Sequence, residues 1–124
     1  MMDWKEFQEF ASREMSRHFG VEFAERYPAG FPKRFDMVSP DEQLIGDAKY
    51  FTWVHSTDVQ PANFMEIAGQ LWWLEQVSAK QKFLVFGNQR DVVEMWLKKY
   101  GRLVKIVEFY FLSDDGKLEL LPTK

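Results

Sequence analysis

The sequence predicts an α/β domain with a single mixed β-sheet flanked by helices, and three observations carry that expectation. Apolar spacing switches between helical and strand-like periods along the chain, in the order helix, three strands, helix, strand, helix, strand, strand. Phe83-Leu84-Val85-Phe86 is apolar without alternation, the mark of a strand covered on both faces. Finally, 46% apolar and 17% aromatic residues over 124 positions are enough for one domain with a real core, and they exclude a disordered chain.

The first helix is expected over residues 3–19. Asp3 is placed to cap it, Glu6 completes a capping box three positions later, and Gly20 stands just past its end. Trp4, Phe7, Phe10, Ala11, Met15 and His18 fall on one face at helical spacing. Glu14 falls there too, either as a rim carboxylate or as a site residue. Val21 to Tyr27 predict a first strand, ended by the turn composition Pro28-Ala29-Gly30-Phe31-Pro32. Strands near 33–38 and 43–51 follow, joined through Ser39-Pro40-Asp41.

Residues 52–60, with His55, Ser56, Thr57 and Asp58, have the composition of a polar loop. A helix over 61–79 begins with Pro61 in its first turn and buries Phe64, Ile67, Ala68, Leu71 and Leu74. Trp72 and Trp73 are 100° apart on it, so at least one faces outward, as a cover over the sheet edge or as an interface anchor. A third helix over 91–100 turns Val92, Val93, Trp96 and Leu97 inward and stops at Gly101. A long strand is expected at 102–112, a turn at 113–116 and a last strand at 117–121. A helix between the third and fourth strands allows a right-handed parallel crossover.

Composition narrows the chemistry. Without cysteine there is no disulfide and no thiolate metal site. The two histidines, His18 and His55, are too far apart in sequence to predict a zinc centre. A net charge of −3 argues against a broad nucleic-acid footprint, though a small basic patch is compatible with it. The start lacks the order of a signal peptide and no segment has membrane-spanning length, so a cytoplasmic protein is expected.

Two acids stand where strands prefer apolar or β-branched residues. Asp36 sits between Phe35 and Met37-Val38, and Asp47 inside Leu44-Ile45-Gly46-Asp47-Ala48-Lys49-Tyr50-Phe51. Asp47 and Lys49, two apart, share one strand face. One explanation is an ordinary hairpin with a cross-strand ion pair. The other is a metal site. Carboxylates brought together raise each other's pKa unless a divalent cation neutralises them. Asp36, Asp47 and Glu14, with the Ala48 carbonyl, are oxygen ligands suited to Mg²⁺ or Mn²⁺. Lys49 would position a water or stabilise charge on a phosphate, and Arg34 and Arg90 would hold neighbouring phosphates.

This element order, with an acid on the second strand and Asp47-Ala48-Lys49 on the third, resembles the PD-(D/E)XK nuclease superfamily, the restriction endonuclease-like fold. The resemblance spans nearly the whole chain by element order, although its Asp-x-Lys motif is short. It implies a metal-dependent nuclease acting on DNA, with Asp36 as first acid, Asp47 and Lys49 as the (D/E)xK pair, Glu14 as the glutamate of the first helix and Gln70 as a glutamine of the second. The tyrosine that often follows such a glutamine four residues later is Leu74 here. That departure, with the acidic balance and the aromatic helix, leaves a second expectation: a nuclease-like domain without catalysis that serves as a protein-interaction or regulatory module. A homodimer, with Trp73 as its contact, is compatible with either.

Overall fold

The computed structural model describes residues 2–51 and 61–123, so the stretch 52–60 with His55 lies outside the described residues. Helix α1 covers Trp4–Phe19. Its start is the expected capping box: Glu6 N–H donates to Asp3 Oδ1 at 2.8 Å, and Asp3 N–H donates to Glu6 Oε1 at 3.0 Å. Gly20 ends it at φ 68°, a left-handed conformation that costs glycine little.

Strands β1 (Ala24–Arg26), β2 (Phe35–Val38) and β3 (Leu44–Tyr50) lead into helix α2 (Pro61–Gln76). Strand β4 (Gln81–Gly87), helix α3 (Arg90–Tyr100), a 3-10 turn (Gly101–Leu103), β5 (Val107–Leu112) and β6 (Leu118–Leu121) complete the described chain. The six strands form one sheet in chain order. Neighbours β3, β4 and β5 run parallel, and the outer pairs are antiparallel. The order of elements is the expected one, and so is the mixed sheet.

Element edges differ from the expectation for physical reasons. The fourth strand opens at Gln81, before its apolar run, because parallel pairing with β3 from Leu44↔Gln81 onward uses backbone groups and needs no apolar side chain. The fifth opens at Val107 and not at 102, because Gly101 takes a helical φ of −56° and prolongs α3 as a tighter turn.

Each face of the sheet has its own core. On one, Phe7, Ala11 and Met15 of α1 pack with Met37, Phe83, Val85, Tyr110 and Leu112. On the other, Ile67 and Leu74 of α2 and Val92, Val93 and Trp96 of α3 pack with Phe35, Ile45, Leu84, Phe86 and Phe109. Gly46 makes the first core possible, because a Cβ there would overlap the ring of fully buried Phe83. Trp4, expected inside, is 68% exposed. Of the two adjacent tryptophans, Trp72 faces outward and Trp73 packs against Phe31 with ring centroids 5.9 Å apart. Among the described residues no helix is long and apolar enough to cross a membrane.

Candidate functional site

The antiparallel β2–β3 ladder runs through Val38↔Ile45 and Met37↔Gly46. One more step of that register would set Asp36 opposite Asp47, and there carboxylates take the place of the ladder. Asp36 N–H donates to Asp47 Oδ1 at 2.8 Å, and Ala48 N–H donates to Asp36 Oδ2 at 2.9 Å. Each acid therefore satisfies a backbone donor on the opposing strand, which answers why two acids can stand in apolar strands at all. On its other side, β2 advances three residues from Phe35 to Val38 while β1 advances two from Arg26 to Ala24, so a bulge spans the Asp36 region. Such bulges bend a strand and re-aim its side chains.

The splay opens a cleft of about 260 Å³ between the first turns of α1 and the face of α2. Lys33, Asp36, Asp47, Ala48, Lys49 and Tyr50 line its floor, Trp4 and Gln8 come from α1, and Glu66 and Gln70 from α2. Asp47 is 3% exposed. Lys33 Nζ donates to Asp47 Oδ2 at 2.9 Å and lies 4.3 Å from the centroid of the Phe35 ring. Lys49 Nζ pairs with Glu66 at 3.8 Å.

Burial pushes both carboxyls up, and their mutual repulsion adds to it on Asp36. Lys33 opposes the rise on Asp47, by its charge and by its hydrogen bond, without cancelling it. The Asp36 carboxyl is pushed up to about 7 from the ordinary 3.8, first by burial and then by Asp47.

Asp36, Asp47, Ala48, Lys49 and Gln70 thus converge on one cleft. Glu14 does not join them: it pairs with Arg17 at 3.0 Å and lies beside Gly116, in the turn between β5 and β6. It does face the sheet side of α1, but at a turn of the helix that passes the cleft by. Arg34 pairs with Glu25 at 3.5 Å on the surface. Arg90 lines a separate, roomier cleft of about 520 Å³ with Lys98 and Arg102, and is held there by Glu119 at 2.6 Å. That cleft has no pair of opposed acids.

Three cleft residues had no place in the sequence expectation: Lys33, Gln8 and Glu66. Glu66 was findable, being four residues before Gln70 and so on the same helical face. Gln8 stands in the same relation to Trp4.

The donor set fits a hard divalent cation. Its members are oxygen atoms, and Gln70 Oε1 is buried without a hydrogen-bond partner, an acceptor whose desolvation nothing on the described chain offsets. Among the described residues, however, no group of three or more His, Cys, Asp or Glu side chains converges as a metal cluster, so the acidic donors end with the pair. No family model matches the chain, nor does any curated protein or solved structure.

Proposed function

We propose that this protein is a metal-dependent nuclease that hydrolyses phosphodiester bonds of DNA on a restriction endonuclease-like scaffold. The observation that carries the reading is the β2–β3 splay, which brings Asp36 and Asp47 face to face in an open cleft with Lys49 on its floor. Asp36, Asp47, the Ala48 carbonyl and Gln70 Oε1 would hold Mg²⁺ or Mn²⁺. When bound, such an ion polarises a phosphodiester and lowers the pKa of an attacking water. Lys49, drawn toward the cleft mouth by Glu66, offers its ammonium to the charge that develops on the phosphate. The Asp36 carboxyl, near 7, holds a proton that a cation can displace at neutral pH.

The test is a Mn²⁺ titration beside a plasmid-nicking assay. Wild type is expected to bind the ion and nick DNA, with Asp47→Asn slower by about 100-fold or more, the scale of losing one preorganised charged group. A wild type that binds neither Mg²⁺ nor Mn²⁺, together with an Asp47→Asn variant that nicks as well as wild type, sinks the reading.

One observation favours the module without catalysis. Met65 and Trp72, seven residues apart on α2 and so on one face, are 65% and 54% exposed. Light scattering decides: a stable dimer lost in Trp72→Ala, with no metal binding in wild type, would establish a module in place of an enzyme.

A further inference from the structure

We propose that Lys33 is a resident cation of the acid pair: its ammonium fills the position a second divalent ion would take at Asp47, and so limits the cleft to one metal ion, held on the Asp36 side. The inference rests on the metal-site reading above and specifies it.

Lys33 is not a surface lysine swinging past an acid. Its Nζ donates to Asp47 Oδ2 and to the Arg34 carbonyl, both at 2.9 Å, and sits over the Phe35 ring. Its side chain is 18% exposed. These contacts fix the ammonium on one side of Asp47, while Asp47 Oδ1 is engaged by the Asp36 N–H on the other. An ion entering beside Oδ2 would meet a positive charge at contact distance in a partly desolvated site, where such repulsion is poorly screened.

Asp36 stands differently. Among the described residues its Oδ2 accepts from Ala48 and no donor reaches its Oδ1, so the open coordination lies on that side. Charge points the same way. With the Asp36 proton displaced by an incoming ion, three carboxylates, Asp36, Asp47 and Glu66, share the cleft with two ammoniums, Lys33 and Lys49. One negative charge is left over, which attracts a single divalent ion but leaves a second strongly uncompensated. Lys33 is accordingly a positioning residue: its hydrogen bond orients the buried Asp47 carboxylate and its charge favours the ionised form.

Isothermal titration of the full chain with Mn²⁺ tests this. Wild type and Lys33→Arg are expected to take one ion per chain, and Lys33→Gln two. Two ions in wild type or in Lys33→Arg, or only one in Lys33→Gln, overturns the assignment of Lys33 while leaving the metal site standing. No ion in wild type overturns the metal reading itself, and this inference with it. If Lys33→Gln is unfolded without metal, its circular dichroism on adding Mn²⁺ decides: refolding supports the replacement of one cation by another, and failure to refold overturns it.

Discussion

Strand β3 has two neighbours and treats them differently. Toward β4 it pairs over all seven residues, from Leu44↔Gln81 to Tyr50↔Gly87, in front of apolar side chains from both cores. Toward β2 it pairs over two, and then gives its ladder to a pair of carboxylates. The parallel flank is where the chain buries apolar surface. The antiparallel flank is where it places two carboxyls, each taking a backbone N–H of the opposing strand, at the cost of an elevated pKa. Stability and site chemistry are thus separated across the width of one strand, and substitutions should separate them too.

The largest effect is expected on the parallel flank. Phe86, fully buried opposite Lys49, packs against Phe51 and Phe109 with centroids 5.9 and 5.3 Å away. Phe86→Ala should cost about 4 kcal/mol of unfolding free energy in urea while leaving the stoichiometry of Mn²⁺ binding unchanged. Loss of the metal site along with the stability would show that the two flanks are not separable.

A smaller effect belongs to the antiparallel flank. The folded Asp36 carboxyl titrates near 7 and the unfolded one near 3.8, so between these values the folded chain holds more protons. Its contribution to stability is therefore complete below the lower value and lost as pH rises through the upper one, by at most roughly 1.4 kcal/mol per pH unit. Asp47, raised by the same burial, adds to the same slope. Urea denaturation at pH 5, 6 and 7 should show stability falling in wild type and a flatter dependence in Asp36→Asn. An unchanged slope would place the shared proton elsewhere.

The smallest effect lies off both flanks. Glu14→Gln removes an ion pair whose arginine is 75% exposed, and should change stability by less than about 0.5 kcal/mol and Mn²⁺ affinity not at all. A loss of affinity would return Glu14 to the site.

The order of elements was legible because each switch of apolar period is written locally, and the capping box and Gly20 mark the ends of α1 in side-chain chemistry. Asp36, Asp47 and Lys49 were legible for the same reason: a period of two puts them on shared faces once the hairpin is placed. Glu14 lies away from the cleft, which its spacing could not show, because a helical wheel gives the angle of a side chain but not its height. Glu14 and Gln8 differ by six residues, about 9 Å along the axis, and that rise takes Glu14 from the cleft that Gln8 lines to the β5–β6 turn. Trp4 shows the same failing, being on the apolar face but at the first turn, where it lines the open cleft and stays exposed. Lys33 could not be found at all. Its contact depends on how the turn before β2 folds back over Phe35, a tertiary fact with no periodic trace.

The acid pair also has a place in time. Asp36 and Asp47 are eleven residues apart on one antiparallel hairpin, whereas Gln70 reaches them only after a parallel crossover. Contacts of short sequence separation close at low entropic cost and parallel pairings close late. The carboxylates are therefore expected to meet while the chain is still largely open and solvated, and to lose their water when α2 docks. If the pair binds a divalent cation as proposed, an ion captured at the hairpin would stabilise the folding transition state too, and its effect would be read as faster folding rather than as slower unfolding.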